Sequence, residues 1–298
     1  MTRVRADILI LFAALIWGIA FLFQKSAMAH IGPFLFIAAR ATVAAMALAP
    51  LAWLAQQSAE HRAHDPAGLV RVALTGGALF FVGSALQQAG LETATVTNTG
   101  FLTGLYVVFT PVIAWLVDRV APSVVVWPAI AASFAGAWLL GGGSITAFTR
   151  GDALVAVSAV FWAAHVVATG RAARHGNPAL FTALQFAVAA VLALAAAFAF
   201  ETVSLAKIQT AWIEIAFVGL LSSAVTFTLL TIAMRHTPPA EAAVIASLEM
   251  VVAAVAGHLW FGERLGTFGL IGAGLMLAAC IAVQVVPMLE TQRKRRAT

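Results

Sequence analysis

Long apolar runs separated by short polar breaks recur along the whole chain. A helix needs about 20 apolar residues to cross a bilayer core of roughly 30 Å. Runs of that kind fall near 7–27, 34–55, 70–90, 96–116, 123–142, 152–171, 178–200, 210–233, 240–260 and 266–287. They take up most of the 298 residues, and even the most soluble-looking break, Gln56 to Leu69, is too short for a domain. The pattern predicts an all-α polytopic membrane protein of ten transmembrane helices. A closed β-barrel, the other spanning architecture, alternates apolar and polar residues over roughly ten-residue segments. These runs are instead continuous and rich in Ala and Leu.

Composition agrees. Apolar residues make up 62% of the chain and charged ones 10%, against about 25% charged in soluble domains. The charges also carry a direction. With ten spans both termini share a side, and the loops on that side hold Arg3, Arg5, Arg62, Arg71, Arg119, Arg171, Arg174, Arg235, Arg293, Lys294, Arg295 and Arg296. The opposite loops hold only Arg150, Lys207 and Arg264. Basic loops stay in the cytoplasm, so both termini are expected inside. The tail Arg293–Arg296 suits anionic lipid rather than nucleic acid. The single cysteine, Cys280, excludes an intrachain disulfide. A cleavable signal peptide is the competing reading of the N-terminus, with Arg3, Arg5 and Ala27-Met28-Ala29 flanking an apolar run. That run, Ile8 to Phe23, exceeds the ~7–15 residues such a segment carries.

The chain also repeats itself. At a constant offset of 145, Asp7 meets Asp152, Ala14 meets Ala159, Trp17 meets Trp162 and Pro33 meets Pro178. Asp118-Arg119 meets Glu263-Arg264 at the same offset, whereas Gly76 pairs with Gly219 at 143. Two five-helix units follow, 1–145 and 146–290, with a basic cytoplasmic tail at 291–298. Five is odd, so the second unit enters the membrane from the opposite face. Such inverted repeats are typical of secondary transporters, whose substrate site lies near the midplane between the halves.

Ionisable groups inside a membrane are costly and therefore functional candidates. Glu249 is the deepest carboxylate, near the middle of the ninth span; it is the candidate for proton coupling or for pairing with a substrate ammonium, against a packing role. Trp17, Phe21, Gln24 and Lys25 share one face of the first helix, and Trp162, His165 and Thr169 one face of the sixth. Both stripes read as cavity wall. Interfacial tryptophan, a snorkelling Lys25 and a quietly bonded His165 are the bland alternatives. Arg40, in the second span, is expected to snorkel or to pair with an interior acid. Thr95, Thr99, Thr103, Tyr106 and Thr110 stripe the fourth span beside Asn98, Phe101 and Gly100-xxx-Gly104, and this stripe serves either substrate or helix packing. Phe80, Phe81, Ser84 and Gln88 in the third span, and Ser222, Ser223 and Thr226 in the eighth, complete the expected cavity. Spans 5 and 10 are expected outside it. Gly269–Gly274 mimics a nucleotide loop by letters only, since no strand precedes it.

Two stretches resemble a known family. Ser247-Leu248-Glu249 followed by Phe261-Gly262-Glu263-Arg264-Leu265 is similar to the C-terminal pattern of the drug/metabolite transporter superfamily, EamA type. Ala14-Leu-Ile-Trp-Gly18 and Phe101-Leu-Thr-Gly-Leu-Tyr-Val-Val-Phe-Thr-Pro111 also resemble its members. Met250 stands where the family often has proline, which removes the residue expected to kink the ninth span. The resemblance implies a ten-helix alternating-access carrier in a bacterial inner membrane, exporting neutral or aromatic amino acids; export of drugs or other metabolites is the alternative. It implies a small-molecule substrate, a lipid environment and no cofactor, with a proton as candidate coupling ion. An intramembrane enzyme is disfavoured, because Asp7, Asp65, Asp118 and Asp152 lie at or beyond span ends and no His-Glu-x-x-His occurs. A receptor is disfavoured by the absence of an output domain, and an ATP-driven pump by the absence of a P-loop.

Overall fold

The polar breaks are capping sites. Side chains of Thr2, Asp65, Thr95, Thr149 and Asn177 each accept a backbone N–H from the first turn of the helix that follows, which satisfies donors that have no intrahelical partner. Prolines open the helices that begin at Pro66, Pro178 and Pro239, where their missing N–H costs nothing. In the computed structural model, residues 1–57, 65–119, 124–140 and 149–297 are described, without side chains at 280, 283, 284 and from 287 on. Arg62, the join at 145/146 and the side chains of Cys280 and Arg293–Arg296 therefore lie outside the described residues. Among those described, every regular element is helical.

The long helices are α1 (Arg3–Ala27), α2 (Pro33–Gln57), α3 (Pro66–Leu91), α4 (Val96–Asp118), α5 (Val126–Leu140), α6 (Arg150–His175), α7 (Pro178–Phe200), α8 (Trp212–Ala233), α9 (Pro239–Phe261) and α10 (Thr267–Ala297), with a short helix, Leu205–Thr210, between α7 and α8. Eight of them are long and apolar enough to cross a membrane, where the sequence pattern predicts ten. The two that fall short are α5, at 15 residues, and α10, whose described apolar part is Thr267–Ala279. Large apolar side chains such as Trp53, Phe198 and Trp260 cover the outside. A surface of that kind belongs against lipid, and helices satisfy their own backbone there. The protein is a multi-pass membrane protein.

Three helices depart from regular geometry at depth. α4 is interrupted at Gly104-Leu105 and α9 at Ser247-Leu248, each through hydrogen bonds that reach back three residues instead of four. The ninth span therefore breaks without proline. Met250 packs its thioether where a side chain on Gly104 would sit, so the two interrupted helices cross at their breaks. α8 widens into a π-helix over Phe217–Val225.

The packing is paired. α2 lies on α7, α4 on α9 and α5 on α10. α1 packs on α8 and α9, and α6 correspondingly on α3 and α4. Glycine permits a close crossing where Gly136 of α5 and Gly272 of α10 face each other's carbonyl oxygens with no room for a Cβ. Trp17 and Trp162 each pack against both of the two largest apolar clusters, at the centre of the molecule.

Candidate functional site

The central cavity measures about 70 Å³ and is walled by α1, α2, α3, α4, α6, α8 and α9. Neither α5 nor α10 contributes to it. One wall is aromatic. Phe80 meets Trp162, Phe186 and Phe227 edge-on at 5.4, 4.8 and 5.4 Å between ring centroids. Trp17 lies 5.0 Å from Phe227, and its indole Nε1 donates to the Ser222 carbonyl at 2.9 Å, inside the π-helical stretch. A widened turn leaves carbonyls out of regular register, and that of Ser222 also accepts from Thr226 Oγ1 at 2.6 Å.

The polar groups are few and deep. Glu249 is 5% exposed, opens the second half of α9 and shares a hydrogen bond with the Tyr106 hydroxyl. Tyr106 in turn reaches the Ala243 carbonyl at 3.3 Å. His165 Nε2 and Gln185 Oε1 lie 2.8 Å apart. Gln87 Nε2 donates to Thr103 Oγ1 at 2.8 Å. Arg40 is 4% exposed; one guanidinium nitrogen donates to Ser84 Oγ at 2.9 Å, and the group lies over the rings of Phe80 and Phe36.

Of the residues singled out in the sequence, Trp17, Phe21, Gln24, Arg40, Phe80, Thr103, Tyr106, Trp162, His165, Ser222 and Glu249 line this one cavity. The others lie outside its lining. Lys25 Nζ donates to the carbonyls of Leu91, Glu92 and Ala94 at 2.6, 3.2 and 2.9 Å, tying the end of α1 to the turn between α3 and α4. Asn98 Nδ2 donates to Asp152 Oδ1 at 3.1 Å, joining the starts of α4 and α6. Phe101 sits in the apolar core. Ser84 stands behind Arg40, Gln88 Nε2 reaches the Gln24 carbonyl at 3.4 Å, and Thr226 bonds its own helix. The hydroxyls of Thr99 and Thr110 likewise turn back onto α4, leaving Thr103 and Tyr106 as its polar contribution to the wall.

Gln87 and Phe227 line the cavity beside those singled out. Arg40 carried a signal of its own, a full charge eight residues into an apolar helix. Among the described residues it neither pairs with a carboxylate nor stands exposed. Phe227 carried none, since one apolar residue in an apolar helix looks like the next.

The motif near the C-terminus has a structural explanation. Gly262 ends α9 in the left-handed region at φ +63°, where a side chain is strained. The turn delivers Glu263 to the start of α4, where its two oxygens accept the Val96 and Thr97 N–H groups at 2.8 Å each. Glu201, after α7, does the same for Phe34 and Leu35 in α2 at 2.8 and 2.9 Å.

The sequence matches the EamA-like transporter family twice, over residues 4–142 and 149–284. The chain belongs to that family. Within the EamA-like transporters it is similar to an uncharacterized transporter of Archaeoglobus fulgidus, with 29% identity over 284 residues that cover 95% of this chain and 87% of the relative. A crystal structure at 18% identity shares the fold, with a TM-score of 0.68 over 96% of this chain and 98% of that one. The protein is thus a membrane transporter, with a small molecule as substrate and lipid around it.

Proposed function

We propose that this transporter exports neutral or aromatic amino acids and related metabolites across a bacterial inner membrane by alternating access, with both termini cytoplasmic. The observation that carries the reading is the cavity itself. It lies where the two family matches meet, has an aromatic wall suited to an apolar side chain, and holds a single deep carboxylate, Glu249, suited to an ammonium group or a proton.

The packing supports ten spans in two inverted five-helix repeats. α1 lies on α8 and α9 as α6 lies on α3 and α4, the arrangement expected of halves related by a two-fold axis in the membrane plane. End contacts agree with alternating helix directions. Thr237 bonds Asp7 at the end of the molecule where Arg171 pairs with Asp118, whereas Lys25, Glu201 and Glu263 make their contacts at the other.

A cavity of about 70 Å³ holds a few water molecules, so a larger solute requires the wall helices to separate. The interruptions in α4 and α9 place two short-range hinges in that wall. The test is uptake into proteoliposomes of labelled neutral and aromatic amino acids, with and without a pH gradient. Saturable, competable uptake that responds to the gradient is the expected result. Vesicles that contain folded protein and take up none of the amino acids would refute the substrate assignment.

A further inference from the structure

Resting on the reading of the central cavity as the substrate site, we infer that Arg40 is the receptor for a carboxylate, so that the transported solute must carry an anionic group. A buried guanidinium in a membrane protein normally meets a carboxylate or reaches the interface. Arg40 does neither. Its partners are one hydroxyl, Ser84, and the faces of Phe36 and Phe80, and its Nε has no hydrogen-bond partner among the described residues. Since it lines the cavity, the missing counter-charge can be supplied by what enters there.

The other half of the chain shows that the fold does not need this charge. At the offset of 145, Phe36 corresponds to Phe181 and Arg40 to Gln185. The two stand at matching places on the packed helices α2 and α7, one turn after a fully buried phenylalanine. Gln185 fills its place as a neutral amide bonded to His165. A cation at this place is therefore particular to the first half, and it faces the cavity.

Two further unpartnered polar atoms fit a zwitterionic head. Trp162 Nε1, a donor, and Gln24 Oε1, an acceptor, belong to cavity-lining residues and have no partner among the described residues. Phe80 contacts both Arg40 and Trp162, which puts the two donors around one ring. A carboxylate accepts from Arg40 and Trp162, an ammonium donates to Glu249 and Gln24, and the aromatic wall takes the side chain.

The test uses purified full-length protein in detergent and pairs of compounds that differ only in the carboxylate. Phenylalanine is set against its amide and against phenethylamine, and phenylpropionate against its amide. Ligand-induced thermal stabilisation is read for the wild type, Arg40→Gln and Arg40→Lys. Arg40→Gln copies the residue at 185 and is expected to fold. The wild type should prefer each carboxylate by at least about tenfold in half-saturating concentration. Arg40→Gln should bring the pairs within about twofold of each other, and Arg40→Lys should restore part of the preference. Equal responses to carboxylates and amides in the wild type, or an undiminished preference in Arg40→Gln, would overturn the assignment. Proteoliposome uptake separates this from the amino-acid reading. Carboxylate selectivity through Arg40 without amino-acid uptake would refute the amino-acid substrate and uphold the role of Arg40, whereas uptake of phenylalanine and its amide alike would do the reverse.

Discussion

Replacing Glu263 removes both oxygens that close the start of α4. The Val96 and Thr97 amides are buried there, and both bonds, at 2.8 Å, run to one carboxylate. A hydrogen bond to a charged group contributes roughly 1.5–3 kcal/mol net, and a negative charge at a helix N-terminus adds roughly 0.3–1 kcal/mol. Glu263 is half-buried, so the lower end of the range applies, and Glu263→Ala should lose about 3 kcal/mol. Glu263→Gln keeps one acceptor and turns an NH2 toward the second amide, so its loss should fall at about half of that. Unfolding of the full chain by SDS in mixed micelles measures the difference, with the exposed Glu92→Ala as control. Exchange of the Val96 and Thr97 amides should accelerate in step. If Glu263→Ala unfolds with the control, or if the glutamine variant is the less stable of the two, the capping account is wrong.

Gly262→Ala meets nothing within 4 Å, so its cost should be only the left-handed backbone penalty, about 1–2 kcal/mol in the same unfolding assay; a loss beyond 3 kcal/mol would show a hidden clash. Gly272→Ala places a Cβ 2.4 Å from the Gly136 carbonyl oxygen and 2.6 Å from the Leu140 amide nitrogen, so it should destabilise by about 1–3 kcal/mol through the α5–α10 crossing. An unchanged melting temperature would contradict that crossing. Glu249→Gln should abolish the response of uptake to a pH gradient while the protein stays folded; an undiminished response excludes Glu249 as the proton carrier. Trp17→Phe keeps an aromatic ring and gives up the bond to Ser222, so it should cost about 1 kcal/mol of stability. Equal stability would mean that water replaces the indole.

The elements were largely legible because their boundaries are local chemistry. Thr149 before Asp152, Asn177 before Pro178 and Asp65 before Pro66 are written where the helices begin. The deep pair Trp17 and Trp162 marked the centre through its spacing, and Glu249 through its charge. Which helix faces meet was much less legible. A helix apolar on all sides has no polar face to set its rotation, so nothing local separated Phe227 in the cavity from the exposed Phe198. Lys25 and Asn98 looked like site residues for a related reason. At membrane depth a polar group serves a ligand or a neighbouring backbone, and only the three-dimensional arrangement showed that these two tie helix ends together. The break in α9 lay beyond the sequence because the contact that accompanies it, Met250 against Gly104, joins distant segments.

The widened turns of α8 bear on how two halves of equal length distribute that length differently. The offset between them is 145 at Pro33 and Pro178, 143 at Gly76 and Gly219, and 145 again at Asp118 and Glu263. The second half is therefore two residues shorter than the first between Pro178 and Gly219, and it regains those two after Gly219. A π turn holds about one residue more than an α turn, and the nine residues of Phe217–Val225 make about two such turns. Widened turns of this length have room for the two regained residues inside the helix, so that α9 needs no longer loop to reach its place opposite α4. Deleting two residues within this stretch should convert it to plain α-helix while every later contact survives, whereas the same deletion in α3 would rotate Phe80 off the cavity wall. One half of the transporter thus makes up within a helix the two residues it lacks earlier, and α8 is the segment where such a difference is absorbed without changing the connections at its ends.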